Sequence, residues 1–537
     1  MMKEQIIIIG AGVAGLSAAL ELAQNGIPSL LVSEMPSERA QSVMAEGGIN
    51  AAADTQADSP TLHAEETLKA GRYIADPEAV AGLTQAAPEM IGQLFDAGMS
   101  FTLNEEGKPD VRAFGGQSVK RTFYAASNTG KQLMDTLIDQ TRRYEADGVI
   151  ERLTGWQYLR LLCRENQAYG CVLTHAVTQE HKTVYGKIII ASGGLNGMFG
   201  NATGSVRNSG AVTASLFADG VKFANGEFIQ YHPTTAQLHG KNMLISEAVR
   251  GEGGRLFVLQ DGKPFYFMEE KYPELGNLMP RDVVAREEWF WMEQGKQIYL
   301  DMSHLERSVC ETKLRGVVED CRHFLSLDPT REPIPVTPGI HYFMGGIWVD
   351  REHHTSMKNL YAAGECACQY HGANRLGGNS LLGAWYGGRV AAQSAMKDPA
   401  PSTMPNFTEV EKMPFRAEAS YVDGMLQLRS ILREGLGIVR DEQTLQTALD
   451  KLETLFARTA GCWDETATEF ENQVLHHCCL LGKAMLLSAL NRKESRGAHF
   501  RKDYPTEQRA YQKQTVAQFR DGTVQVWLES AGEQDAD

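Results

Sequence analysis

Residues 5–33 read QIIIIGAGVAGLSAALELAQNGIPSLLVS. Ile6 to Ile9 form a short, wholly apolar run, the pattern of a strand covered on both faces. Gly10, Gly12 and Gly15 follow at G-x-G-x-x-G spacing, LSAALELAQNG reads as a helix closed by Gly26, and SLLVS at 29–33 is a second strand. Strand, glycine turn, helix and strand within about 30 residues is the layout of a dinucleotide-binding unit. In that layout Gly10 permits the turn, Gly12 lets the backbone approach a pyrophosphate, and Gly15 lets the helix pack on the strand. The helix N-terminus, which includes Ala14, then carries the phosphate charge. An acid about 20 residues beyond the last glycine holds a ribose in such units. The count ends at Ser33 or Glu34, and both remain candidates.

Two further segments have the same texture. KIIIASGG at 187–194 and NLYAAGE at 359–365 are apolar strands that end in glycine. Three separated strand–glycine units predict one nucleotide-binding domain interrupted by an insertion, a mixed α/β cap that holds Trp289 and Trp291. Pro399, Pro401 and Pro405 mark a linker. Residues 407–493 then show helical periodicity with few glycines, as in VLHHCCLLGKAMLLSAL, and predict a helical bundle. In the tail, Asp521-Gly522 between alternating runs signals a β-hairpin, and the final GEQDAD reads as frayed. The predicted fold class is α/β: a Rossmann-like dinucleotide-binding domain (1–226 and 341–400), a capping domain (227–340), a helical domain (401–500) and a C-terminal tail (501–537).

Composition bounds the function. The chain has 537 residues, enough for about three or four domains at roughly 150 residues each. Glycine is over-represented at 52 residues, which suits tight turns and close backbone approach to a ligand. A net charge of −15 argues against a nucleic-acid partner, but leaves room for a local basic pocket. No apolar run reaches 18 residues, and Met1 to Ile9 lacks the layout of a signal peptide, so the expected location is the cytoplasm, with membrane association only through partner subunits. The nine cysteines, among them Cys163, Cys462 and Cys478, form no C-x-x-C pair and read mostly as small core residues. They argue against an iron–sulfur cluster ligated by this chain alone. No metal site is expected.

The remaining motifs are more specific. In order they are AEGGINA (45–51), FGGQ (114–117), QYHPT (230–234), LISEAVRGEGG (244–254), RDVVAR (281–286), HYFMGG (341–346), HGANRLGGNSLL (371–382) and ESRGAH (494–499). Spread over nearly the whole chain, they resemble the flavoprotein subunits of the succinate dehydrogenase/fumarate reductase family, which also includes L-aspartate oxidase. The resemblance implies FAD and a C4-dicarboxylate substrate. A doubly charged acid needs cations and donors at both ends of a closed cleft. His232, Ser246, His341 and Arg375 match the family's carboxylate ligands, and the planar fork of Arg375 suits bidentate pairing. Arg281 matches the arginine that protonates the substrate carbon. Glu247 and Arg250, on one helical face at i and i+3, match the relay that reprotonates it. His371 is either part of the site or packing. On the cofactor side, Gly47, Gly48, Ser192, Gly193 and Gly194 match positions where the backbone meets the flavin. Ser42 and Arg375 belong to the same set, and Glu365 matches an acid that holds ribityl or ribose hydroxyls. Ser380, Leu381 and Leu382 open a helix whose positive end would face the flavin pyrimidine edge.

Three departures refine this expectation. Many respiratory members attach FAD covalently to a histidine at the position of Gln41, so here FAD is expected to be non-covalent. Glu46 precedes Gly47 where fumarate reductases usually have Glu and succinate dehydrogenases Gln. An ionised carboxylate there would disfavour the anionic reduced flavin and so favour fumarate reduction. Phe114 precedes the glycine pair where L-aspartate oxidase has an acid suited to an ammonium group. The expected function is therefore an FAD-dependent fumarate/succinate oxidoreductase running reductively. L-aspartate oxidase and a non-catalytic electron-transfer flavoprotein subunit are the alternatives. Electrons are expected from a separate iron–sulfur subunit, with free reduced flavin or another soluble donor as further possibilities.

Overall fold

The computed structural model describes residues 5–53, 56–238, 241–399, 405, 407, 420–459 and 467–532. Pro401 of the linker, most of 407–419, Cys462 and residues 533–537 of the predicted frayed end lie outside the described residues.

The isoleucine run is the middle of a five-stranded parallel sheet. Its order is Leu360–Ala362, Ile188–Ile190, Ile6–Ile9, Ser29–Ser33, Ile150–Thr154. Ile7 and Ile8 are fully buried because helices cover one face and a second layer the other. Such double cover is why the strand reads as apolar at every position rather than at alternate ones. The glycine turn feeds helix Val13–Gln24, and Gly26 adopts φ +71° just beyond its end. Gly10 has φ +115°, and a Cβ there would collide with the Ala191 carbonyl on the neighbouring strand. All three strand–glycine segments read from the sequence thus lie side by side in one sheet, although they are separated by more than 150 residues each.

The insertion contributes a six-stranded antiparallel sheet. Its order is Lys241–Leu244, Ile229–Leu238, Ile334–Phe343, Ile298–Asp301, Arg255–Gln260, Lys263–Phe265. Helix Arg281–Met292 packs against its long strands. The strands Ile229–Leu238 and Ile334–Phe343 bring the QYHPT and HYFMGG motifs side by side, with Gln230 opposite Tyr342 and register shifts at Gln230/Tyr231 and His232/Thr235.

Helices Tyr421–Gly435, Glu442–Thr459 and Glu469–Asn491 share one core with Phe199, Phe217 and Phe343. The last helix is long and apolar enough to cross a membrane by length and composition, but its apolar stretch is mostly buried within this bundle. The Asp521-Gly522 turn joins strands Gln514–Arg520 and Thr523–Glu529, with both turn residues at positive φ as a tight hairpin requires. Seven of the described cysteines are buried and Cys163 is half-buried; none of the described cysteines is in a disulfide.

Candidate active site

A cleft of about 590 Å³ runs from the carboxyl ends of the parallel strands to the inserted sheet. Its first half is built by the glycine turn. Gly10, Gly12 and Ala14 line it, and Val13 N–H donates to Ser42 Oγ at 3.3 Å. Gly15 lies outside the lining: a Cβ there would strike the Gly10 carbonyl, so its absence serves helix–strand packing. Ser33 and Glu34 both face the cleft. Ser33 Oγ is buried without a partner, whereas the Glu34 carboxylate pairs with Arg207 at 2.6 Å. Trp156 and Tyr158 close this end as flat apolar walls.

The middle is a cradle where backbone replaces side chain. A Cβ on Gly194 would fall 2.6 Å from Glu365 Oε1, and one on Gly47 3.2 Å from the Phe114 ring. The glycines therefore admit Glu365 and Phe114 as much as they would admit a ligand. Glu365 accepts from Phe343 N–H at 3.1 Å, and burial pushes its pKa up to about 7. Ser192, Gly193 and Gly48 complete the wall. Gln41, at the position of the family's attachment histidine, is engaged as an acceptor from Ser205 N–H at 2.7 Å.

Helix Asn379–Lys397 starts at the cleft from Gly378, at φ +85°. A buried amide network fixes this start. Asn50 Nδ2 donates to Gly377 O and to Asn379 Oδ1, both at 2.7 Å, and Asn379 Oδ1 also meets His63 Nε2 at 2.9 Å. Ser380 and Leu381 face the cleft. Leu382 does not: it is fully buried in the main core, because one residue further along the helix turns its side chain about 100° away from the opening.

Glu46 also departs from expectation. It lines the cleft, and burial, with the nearby Asp320 carboxylate, pushes its pKa up to about 8 against the pull of Arg112. At neutral pH it is a neutral acid, so the repulsion expected of an ionised carboxylate operates only above about pH 8.

At the far end the cationic groups converge. Arg281 opens its helix and donates Nε–H to Glu247 Oε2 at 2.8 Å and Nη2–H to the same oxygen. Its Nη1–H goes to Gln230 Oε1 at 2.9 Å. Gln230 Oε1 also accepts from Arg375 Nη2 at 3.0 Å, so one amide oxygen holds both guanidinium groups. The Arg375 cation lies 4.3 Å from the Tyr342 ring centroid, and its Nε is buried without a partner. Burial, then the neighbouring Arg281 charge, bring the Arg375 pKa down to about 9. Burial alone would raise Glu247, but Arg281 and Arg250 bring it down to about 2, so it is ionised. Arg250 stands behind Glu247, outside the cleft lining, with Nη2 3.3 Å from Glu247 Oε1.

His232 and His341 meet edge to face with centroids 5.0 Å apart. Burial and the surrounding arginines hold both well below the ordinary histidine range, so both rings are neutral. His232 Nδ1 is fixed against the Thr234 backbone, and His341 Nδ1 against Thr203 Oγ1 at 2.8 Å. Ser246 and Phe114 line the same end. His371 is not part of the lining; it packs edge-on against Tyr342.

The sequence reading missed Gln230, Tyr342 and Thr203. Gln230 and Tyr342 sit inside QYHPT and HYFMGG, so the motifs contained them, but their roles depend on which arginine each one meets. Thr203 lies in a loop with no signal of its own.

The arrangement offers a long anion- and ribose-compatible groove leading to two guanidinium groups, two neutral imidazoles and one buried carboxylate. The partnerless Ser33 Oγ, the glycine cradle and the glycine turn at Gly10–Ala14 fit FAD, which these groups together with Gly47, Gly48 and Glu365 would hold.

Comparison with known proteins agrees. Residues 5–381 match the FAD binding domain family, and residues 425–532 match the fumarate reductase flavoprotein C-terminal family. The chain is 36% identical to the succinate dehydrogenase flavoprotein subunit of Bacillus subtilis, over 94% of this chain and 92% of that one. It is 34% identical to L-aspartate oxidase of Mesorhizobium japonicum, over 93% and 91% respectively. A structure of E. coli quinol fumarate reductase superposes with a TM-score of 0.87 at 28% identity, covering 100% of this chain and 98% of that one.

Proposed function

The chain belongs to the family of succinate dehydrogenase/fumarate reductase flavoproteins and is an FAD-dependent oxidoreductase; from that premise we propose that it interconverts fumarate and succinate and works mainly as a fumarate reductase with non-covalent FAD. The observation that carries this reading is the buried chain Gln230–Arg281–Glu247–Arg250 beside His232, His341 and Arg375.

A C4 dicarboxylate carries two negative charges that must leave water. Arg375, with its free Nε, takes one carboxylate, and His232, Ser246 and His341 supply neutral donors for the other. Keeping the imidazoles neutral limits the cations to the arginines, so the site pairs charge with charge at fixed places. FAD, when bound, supplies the two-electron chemistry, accepting or giving a hydride at flavin N5. Arg281 stands at the boundary between cleft and interior. An arginine is a very weak acid in water, and it serves here because the ionised Glu247 between two arginines can take a proton from Arg250 and hand it on to Arg281 as Arg281 gives one up. Arg250 in turn supplies Glu247. Gln230 holds Arg281 and Arg375 at a fixed separation, which sets the distance between acid and carboxylate clamp.

A second reading, L-aspartate oxidation, is kept open by the 34% identical oxidase. Against it, Phe114 offers an ammonium group no ionic partner. The carboxylate of Glu247 is already held by two arginines. We assign electron supply to a separate iron–sulfur protein, through which the chain would associate with a membrane. The test is direct. Reduced dye plus fumarate is expected to give turnover, and L-aspartate plus oxygen no peroxide. Peroxide from aspartate, with fumarate acting only as its electron acceptor, would establish the oxidase instead.

A further inference from the structure

Thr203 belongs to none of the motifs, yet its hydroxyl meets a ring at the substrate end of the cleft. Thr203 Oγ1 lies 2.8 Å from His341 Nδ1, and both residues line the cleft. The segment that carries Thr203 is pinned from two sides. Thr203 N–H donates to Ile340 O at 2.9 Å, and Asn242 Nδ2 donates to Asn201 O at 2.9 Å, which ties the segment to the inserted sheet. Ser205 N–H donates to Gln41 Oε1 at 2.7 Å, which ties it to the cofactor half of the cleft. The hydroxyl is therefore held at a fixed place beside His341 by residues from both halves.

A neutral imidazole has one N–H and one lone pair, and the bond made by one nitrogen sets the role of the other. His341 is neutral, because burial, with His232, Arg281 and Arg375 around it, disfavours a second ring proton. A hydroxyl can donate or accept, so the contact with Thr203 by itself allows the proton on either nitrogen. Two observations choose between them. Among the described residues the Thr203 hydroxyl has no other acceptor for its proton, whereas the hydroxyl of Thr234, beside His232, gives its proton to Ile245 O at 2.7 Å. His341 Nε2, in turn, has no hydrogen-bond partner among the described residues, at the end of the cleft where Arg281 and Arg375 converge on Gln230. Two guanidinium groups draw an anion to that end. A bare Nε2 lone pair would repel its carboxylate, and an Nε2–H would bind it. Nδ1 then has to accept, and the Thr203 hydroxyl is the donor within reach.

We propose that Thr203 is a positioning residue for dicarboxylate recognition: its hydroxyl donates to His341 Nδ1, keeps the ring proton on Nε2, and so makes His341 a hydrogen-bond donor to a substrate carboxylate. The identity of that substrate rests on the fumarate-reducing reading; the placement of the ring proton does not. Thr203 touches no reacting atom and takes no part in proton delivery, which runs through Arg281, Glu247 and Arg250. Without the hydroxyl, the tautomer that binds a carboxylate leaves the Nδ1 lone pair unbonded, and the cost of that unmade bond falls on substrate binding rather than on the chemical step.

The test compares the FAD-loaded protein with Thr203→Val, which keeps the shape and removes the hydroxyl, and with Thr203→Ser, which keeps the hydroxyl. In Thr203→Val the KM for fumarate is expected to rise about tenfold, with kcat within about twofold of wild type, the pattern of lost binding alone. Thr203→Ser is expected to restore the wild-type KM, and FAD content is expected to be the same in all three. Histidine nitrogen NMR of isotope-labelled protein, with the His341 signals identified by their loss in His341→Gln, reads the ring without turnover. It is expected to show a proton on Nε2 and an Nδ1 that accepts a hydrogen bond, with that bond absent from Thr203→Val. A wild-type proton on Nδ1, an unchanged KM in Thr203→Val, a loss confined to kcat, a loss of FAD with activity, or a Thr203→Ser variant no better than Thr203→Val would each overturn the proposal. A wild type inert toward fumarate, with its proton on Nε2, would instead overturn the fumarate reading, and the recognition role with it.

Discussion

Replacing Arg281 by lysine keeps the charge and removes the fork. In the native site Arg281 places three N–H groups: two on Glu247 Oε2, with Nε at 2.8 Å, and one on Gln230 Oε1 at 2.9 Å. A lysine ammonium is a single point on a flexible stem and can keep one of these contacts, not all three. Hydrogen bonds to charged groups contribute about 1.5–3 kcal/mol each. Two lost contacts therefore give about 3–6 kcal/mol, offset in part by the ammonium's new contact with Glu247. More important is where the proton donor ends up: an ammonium drawn onto Glu247 no longer points into the cleft. General-acid catalysis is worth about 10²–10⁴ in rate, so Arg281→Lys is expected to lower kcat for fumarate by about 10³, or about 4 kcal/mol in barrier. FAD content should match wild type, because the hydrogen bonds of Arg281 go to Glu247 and Gln230 and to none of the cradle glycines. KM should change only a few-fold, since Arg375, His232 and His341 remain. Dye-linked fumarate reduction, with the flavin absorbance as a loading control, measures all three quantities. A kcat within tenfold of wild type would take the acid role from Arg281. A loss of FAD together with activity would mean that Arg281 supports the fold rather than the proton.

Gln230→Leu removes the one acceptor shared by Arg281 and Arg375; both KM and kcat for fumarate are expected to worsen by at least tenfold, and a loss confined to kcat would show that Arg375 does not depend on Gln230. Glu46→Gln is expected to leave the flavin midpoint potential unchanged at pH 7, where Glu46 is protonated, and to raise it relative to wild type above about pH 8, where only the wild type gains a negative charge. A difference already present at pH 6 would mean that Glu46 is ionised there.

The sequence by itself determined the nucleotide-binding half of this protein. The isoleucine strand, the glycine spacing and the hairpin at Asp521-Gly522 are local facts: a doubly covered strand must be apolar throughout, and Gly10 must reach φ +115° where a side chain would strike Ala191. The ordered motifs likewise carried Arg281, Glu247, His232, His341 and Arg375, because each occupies a recognisable stretch of chain. What only the tertiary structure decided is how distant groups act on one another. Gln230 joins two arginines 94 residues apart in the chain. Glu46 keeps its proton because burial and Asp320 outweigh Arg112. Leu382 turns into the core, although its two predecessors face the cleft. Glu288, an ordinary helical glutamate by its letters, is fully buried, and that burial holds its carboxyl well above the ordinary carboxylate range. Periodicity records which face of an element is apolar. A field or a desolvation depends on neighbours brought from elsewhere in the chain, and those are set only when the sheets and helices pack.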